Sequence, residues 1–309
     1  MTLTELKYVI AVAQERHFGR AAELCHVSQP SLSVAVKKLE KELGVNIFER
    51  RSTDITLTPI GELIVEQAQR VLEDAQKLRE CAQQGKDPLS GALRLGVIYT
   101  IAPFLLPSLV AKMRDIAPAM PLVLTEGFTA SLLEELKNGQ LDCAIMALPV
   151  NQPGLMIKPL YDEAFVATIP SNHRLASKSS INRKDLKRES MLLLCSGHCF
   201  RDQILDFCGD LFTRDQHSYE GSSLQTIVYM VAQGLGVTLL PATSVPYYRD
   251  SSDITILPFE QPTIPKRRVV LVWRKSFPRP EAIAALAQAV GHIKLHGASM
   301  LTSLPAVTA

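Results

Sequence analysis

Three of the six cysteines in this 309-residue chain fall within fourteen residues, in the segment Cys195-Ser196-Gly197-His198-Cys199-Phe200-Arg201-Asp202-Gln203-Ile204-Leu205-Asp206-Phe207-Cys208. Three chemistries are open to it. A cysteine reacts as a nucleophile or with an oxidant only as its thiolate, and Cys199 has His198 beside it and Arg201 close by. Cys195, His198, Cys199 and Cys208, with His217 downstream, are also ligand types suited to zinc. No second Cys-x2-Cys or His-x3-His pair completes that set, so no metal is expected. Free cysteines also serve as small buried hydrophobes, which is the reading for Cys25, Cys81 and Cys143. His17, His26 and His292 are read as surface or packing residues.

Cys199 is expected between a strand at 191–194 and a helix at 200–211. It then lies near a helix N-terminus, where the dipole and the free N–H groups favour an anion. Further strands are expected at Leu93–Ile98, 122–126, 143–148, 237–240 and 269–273, and helices at Ala102–Ile116, 130–138 and 224–233. Such alternation indicates parallel sheets with helices on both faces. Thr100 and Thr129 each follow a strand, at the strand-to-helix turns where ligands of open α/β sheets bind. The uncharged tail from about Ser299 is expected to fray.

The N-terminal segment has a different texture. Thr2 and Glu5 form a capping box for a helix to about His17. A second helix is expected at 19–25. Ser28 caps a third, with Pro30 in its first turn and Gly44 at its end. Two short helices joined by a tight turn are the layout of a helix-turn-helix, whose second helix enters the DNA major groove. Ser28, Gln29, Ser31, Ser33 and Lys37 occupy the start and exposed face of that helix. Gln29 suits adenine, and Ser31 or Ser33 a base or a phosphate. Residues 48–58 read as a two-strand wing whose Arg50 and Arg51 suit phosphates. Pro59 opens a helix of about 25 residues. Its apolar face (Ile60, Leu63, Ile64, Val71, Leu72, Ala75, Leu78, Ala82) has too little neighbouring sequence to cover it, so a partner helix is expected there. The domains are then a winged helix-turn-helix at 1–58, a dimerisation helix at 59–88 and an effector domain at 89–309.

Bulk properties set limits. Net charge is +2, and residues 1–58 hold eight Lys/Arg against seven Asp/Glu, so nucleic-acid binding rests on local pattern. No apolar run approaches membrane-spanning length. The N-terminus lacks the basic and apolar regions of a secretory signal. A cytoplasmic protein with reduced cysteines and no membrane partner is expected.

Ala21-Ala22, Val27-Ser28-Gln29-Pro30-Ser31-Leu32-Ser33, Leu39-Glu40, Leu43-Gly44 and Phe48-Glu49-Arg50 carry a resemblance to the LysR-type transcriptional regulators over essentially the whole chain. It implies an α/β chain: a winged helix-turn-helix and long linker helix, then two α/β subdomains resembling type 2 periplasmic binding proteins. It also implies a regulator without enzymatic activity or cofactor. Such a protein binds double-stranded promoter DNA through residues including Pro30, as a homo-oligomer (dimer or tetramer), and works with RNA polymerase. The segment from Gly197 to Cys208, with Leu141-Asp142-Cys143 and Cys25-His26-Val27-Ser28-Gln29-Pro30, is similar to the hydrogen peroxide-sensing members of that family, which control oxidative-stress genes.

That similarity implies that Cys199 reacts with hydrogen peroxide and that Cys208 closes a disulfide with it. Thr100, Thr129, His198, Asp202 and Arg267 then line the peroxide pocket, and a thiol reductant such as glutaredoxin or thioredoxin resets the pair. Cys195 departs from the pattern. Were residues 200–207 helical, a rise of ~1.5 Å per residue would set the two Cα atoms roughly 13–14 Å apart. A disulfide tolerates about 7 Å, so the bond requires unwinding and reads as a switch. Two other functions compete. One is a regulator of the same family with a small organic co-inducer between its lobes. The other is a cysteine peroxidase, which needs rapid turnover with a reductant; the helix-turn-helix favours the sensor.

Overall fold

The computed structural model describes residues 1–50, 55–84, 87–187, 189–208, 219–301 and 303–308. The chain divides into two units, Met1–Lys86 and Asp87–Ala309.

In the first unit, α1 (Leu3–Glu15) starts at the Thr2–Glu5 capping box and stops two residues short of His17, because Arg16 turns left-handed at φ 48°. Helix α2 (Phe18–Leu24) follows, capped by the His17 side chain, which accepts from the backbone N–H groups of Gly19 and Arg20. Helix α3 (Gln29–Leu43) is capped by Ser28 and ended by Gly44 at φ 71°, a conformation that favours glycine. Strands β1 (Phe48–Arg50) and β2 (Ile55–Leu57) form the antiparallel wing. Leu6, Val9, Val12, Ala21, Leu32, Val36, Leu39 and Ile47 make the core.

Helix α4 (Pro59–Gln84) spans 26 residues. Its apolar residues do not share one fate. Ala68 is buried, and Ile64, Val65 and Leu72 pack on the core of the first unit, while Ile60, Leu63, Val71 and Leu78 stay exposed. The expected single face is therefore two, one of them covered within the chain itself.

The second unit runs β3 (Leu93–Ile98), α5 (Ala102–Ile116), β4 (Leu122–Gly127), α6 (Thr129–Lys137), β5 (Cys143–Ala147) and β6 (Leu155–Pro170). It continues with β7 (Leu193–Leu194), α7 (Cys199–Cys208), β8 (Glu220–Gly221), α8 (Leu224–Ala232), β9 (Thr238–Pro241), α9 (Val245–Tyr248) and β10 (Ile254–Pro258). It closes with β11 (Lys266–Arg274), α10 (Pro280–Gly291), β12 (Ala298–Met300) and β13 (Val307–Thr308). Strand β3 pairs in parallel with β4 and β5, and β7 with β8. The rest is antiparallel, so the all-parallel expectation is corrected to a mixed sheet in the order β10-β6-β11-β5-β3-β4.

The reason is β6, which sequence patterning passes over. It carries Pro159 in its interior, a residue that argues against a strand. The structure accommodates it at a bulge: Tyr161 opposes Val269 and Pro159 opposes Val270. The first part of β6 pairs with β11, and its last residues pair with β9 and β10. One strand thereby joins two lobes, each with its own core: one around Leu95, Ile145 and Val270, the other around Phe165, Leu192 and Leu239. The tail also differs from expectation. Residues of β12 and β13 pair with β6, and Lys158 donates to the Leu304 carbonyl at 2.8 Å. A free sheet edge offers unpaired backbone groups, and the tail takes them up. Among the described residues no helix is long and apolar enough to cross a membrane.

Candidate functional site

Two side-chain constellations stand out, one in each unit. In the first, α3 presents Ser28, Gln29, Pro30, Ser31 and Lys37 to solvent, with Ser33 half-buried. The Ser28 hydroxyl lies 2.8 Å from that of Ser31 and caps the Ser31 N–H, so it holds the helix start as well as facing outward. Lys38 is not free: its ammonium donates to the buried Glu5 carboxylate at 2.9 Å, and that contact holds the carboxyl of Glu5 below the usual carboxylate range. Arg50 ends β1, but its side chain, like all of Arg51, lies outside the described residues.

Sequence reasoning missed two residues that position this face. Glu40, buried on α3, accepts from the backbone N–H groups of Ile47 (2.9 Å) and Phe48 (3.2 Å). It thereby fixes where the wing leaves the helix. His17 is a cap and neither a packing residue nor a ligand. Glu40 carried a signal, a carboxylate next to the buried seam residue Leu39. His17 carried one too, a side chain with an acceptor just before a short helix.

In the second unit, β7 leads into Gly197, whose φ of +102° favours glycine; a Cβ there would sit 3.2 Å from the Phe128 ring. This turn delivers His198 and then Cys199, the first residue of α7. Cys199 is half-buried, and Cys208, the last residue of the helix, is fully buried. Both thiols are free. At ~1.5 Å per residue their Cα atoms are roughly 13–14 Å apart. Burial pushes the Cys208 thiol up to about 11, with Arg183 acting weakly the other way.

His198 is 5% exposed, with the rings of Phe128 and Tyr99 centred 4.8 and 5.9 Å from its own. Burial depresses its pKa, and a hydrogen bond to the Ser222 backbone opposes this, so the imidazole is neutral at pH 7. Among the described residues its buried Nε2 has no hydrogen-bond partner, and neither does the Thr129 hydroxyl. Arg201 has partners of its own. It donates to the Leu194 carbonyl at 2.9 Å and to the Glu220 carboxylate at 2.7 Å.

The remaining residues of interest fall into two clefts. Cys199 and Asp202 share one of about 500 Å³ with Thr129. Thr100 and His198 line a second, of about 320 Å³, with Ser222 and Gln225. Consecutive residues His198 and Cys199 stand between the two.

Arg267 lies fully buried behind Thr100. Its Nη1 donates to the Thr100 hydroxyl at 2.8 Å, its Nη2 to the Thr100 carbonyl at 3.0 Å, and its Nε to Glu163 at 2.6 Å. The Thr243 hydroxyl donates to the other oxygen of Glu163. The guanidinium sits 4.9 Å from the centre of the Phe200 ring, next to Cys199. Glu163 and Thr243 were not anticipated. Glu163 shares the inward phase of Tyr161 and Phe165 on β6, which is the signal that could have found it. Among the described residues, no group of three or more His, Cys, Asp or Glu is arranged to hold a metal ion; His217 lies outside them.

Known proteins place this arrangement in context. Residues 3–62 match the bacterial regulatory helix-turn-helix protein, LysR family, and residues 86–292 the LysR substrate binding domain. A hydrogen peroxide-inducible genes activator of Dickeya chrysanthemi is 39% identical, covering 96% of this chain and 97% of its own. The DNA-binding transcriptional dual regulator OxyR of Escherichia coli K12 is 39% identical, covering 94% and 95%. Among solved structures, a full-length OxyR variant from Pseudomonas aeruginosa is 48% identical over 99% of both chains, with a TM-score of 0.77. A hydrogen peroxide-bound cysteine-to-serine mutant of Corynebacterium glutamicum OxyR is 34% identical over 94% and 91%, with a TM-score of 0.65.

Proposed function

Because the chain belongs to the LysR family of regulators, and within it to the hydrogen peroxide-inducible activators, we propose that it is a DNA-binding regulator that senses hydrogen peroxide at Cys199. The observation that carries the assignment is the difference between the two thiols. Cys199 opens α7 and lines a cleft, whereas Cys208 is buried with its thiol pushed up to about 11. Only Cys199 stands where peroxide entering the cleft can reach it, and burial keeps the Cys208 thiol protonated.

The Cys199 thiolate attacks one peroxide oxygen. A sulfur–oxygen bond forms, the oxygen–oxygen bond breaks, and the departing hydroxide takes a proton and leaves as water. The resulting sulfenic acid condenses with the Cys208 thiol, releasing a second water and forming the disulfide. That step requires α7 to unwind, since its two ends are about twice a disulfide's reach apart. Unwinding also returns Cys208 to water and towards an ordinary thiol pKa. Two thiols of a reductant of the glutaredoxin or thioredoxin class restore both cysteines. Thr129 and Asp202 line the Cys199 cleft, while Thr100, His198 and Arg267 stand behind its wall. Their part is to hold peroxide and the base of α7.

Ser28, Gln29, Pro30, Ser31, Ser33 and Lys37 on α3, with Arg50 and Arg51 of the wing, read and hold promoter DNA. The exposed Ile60, Leu63, Val71 and Leu78 of α4 suit a second copy, giving a homo-oligomer that works with RNA polymerase in the cytoplasm. The domains follow as 1–58, 59–88 and 89–309. The test is Cys199→Ser in a reporter strain. Peroxide induction disappears while promoter binding by the purified protein is retained; a variant that still responded like the unaltered protein would contradict the assignment.

A further inference from the structure

Helix α3 buries Leu32, Val36 and Leu39 against the rest of its unit. At ~100° per residue, Val34 lies roughly 140–160° around the helix from all three. It is 66% exposed. Within about 60° of it on the same face come Pro30, Ser31, Lys37, Lys38 and Lys41, all exposed. The centre of a face otherwise made of hydroxyl, ammonium and proline is thus a branched hydrocarbon. Isolated exposed apolar residues are ordinary on protein surfaces. This one has a particular setting: it sits mid-helix, where a β-branched residue is disfavoured, on the helix that this family lays into the major groove. Of the four bases, thymine alone presents a methyl group there.

We propose that Val34 is a sequence-reading residue that packs its methyl groups against the C5 methyl of one thymine in each half-site. Flanking Lys37 and Lys41 then meet phosphates and fix the depth at which Val34 enters the groove. The inference rests on α3 being the recognition helix.

The test starts with selection of duplexes from a randomised library by the full-length protein. Each thymine of the selected site is then replaced singly by uracil, which keeps the pairing and removes only the methyl. One thymine per half-site should show a loss of about fourfold in affinity on replacement, the worth of one buried methyl group. Val34→Ala should bind thymine and uracil at that position equally and leave every other position unchanged. Because Val34 touches no phosphate, the salt dependence of Val34→Ala should match that of the unaltered protein. Lys37→Ala should lower the log–log salt slope by about one. The same uracil profile in Val34→Ala and the unaltered protein overturns the role of Val34 while leaving α3 as the recognition helix. A library from which nothing is enriched overturns both.

Discussion

Helix α3 is fastened by local caps and polar ties, whereas α7 is held by packing, with Phe200, Ile204 and Cys208 buried and the Phe207 ring against that of Phe259. In α3 the Ser28 hydroxyl caps the first turn, Gly44 closes the last, and Lys41 lies in that last turn, where a cation complements the helix dipole. Glu5 and Glu40 tie its middle to α1 and to the wing. In α7 the base rests on Phe200, fully buried under the Arg267 guanidinium. The far end has no basic residue in its last turn and exposes Asp206, a charge of the wrong sign for that end. A helix that must present side chains to DNA gains from being rigid. A helix that must let its two ends meet has to open, and opening must draw Ile204, Phe207 and Cys208 out of their packing, while the misplaced charge of Asp206 lowers the cost. The contrast teaches where each function stores its stability.

The largest expected effect concerns the base of α7. Glu163 and Arg267 are both fully buried, so Glu163→Ala leaves an uncompensated charge and should cost about 3–5 kcal/mol in urea unfolding. Hydrogen exchange should place the lost protection in the second unit, with α3 unchanged; a uniform loss would mean that the two helices are not independently held. The fastening of α3 comes next. Ser28→Ala should destabilise the first unit by about 1 kcal/mol, read by thermal unfolding, and weaken DNA binding. A variant as stable as its parent would remove that cap from the comparison.

A pH effect follows from Cys208. Burial holds its folded pKa at about 11, above the ordinary thiol value of 9.0, so its contribution to stability is fully present below about 9. It is lost as pH rises through 11, because the unfolded chain releases its proton first. Reduced Cys208→Ala should therefore lose less stability between pH 9 and 11 than the unaltered protein; parallel curves would place the thiol in contact with water. The smallest effect is at the C-terminal end of α7. Asp206→Lys replaces a charge of the wrong sign near the C-terminus with a favourable one, worth about 0.3–1 kcal/mol. Sulfenic acid should then close to the disulfide about two- to fivefold more slowly in stopped-flow measurements. An unchanged rate would show that closure does not proceed through opening of that end.

Legibility from sequence followed the range of the interactions involved. Helix α3 was readable to the residue because its caps, Ser28 and Gly44, are local. Strand β3 and helix α5 were readable because their apolar residues recur at strand and helix spacing within short local segments. Strand β6 was not, since Pro159 and the Asp162–Glu163 pair look like loop until β11 supplies a bulge and a buried arginine. Thr100 and Arg267 are 167 residues apart, and their contact depends on that unread strand. Resemblance named both, but nothing in spacing joined them. Ile64 and Leu72 of the α4 stripe were misjudged because their partner, the core beneath α1, comes earlier in the same chain.

The central claim is that peroxide opens α7 and leaves α3 intact. Hydrogen exchange on the full-length protein, reduced and after stoichiometric peroxide, tests it most directly. Residues 199–208 should lose protection in the disulfide form while residues 29–43 keep theirs. Equal protection of residues 199–208 in both forms, with the disulfide confirmed by mass, would contradict it.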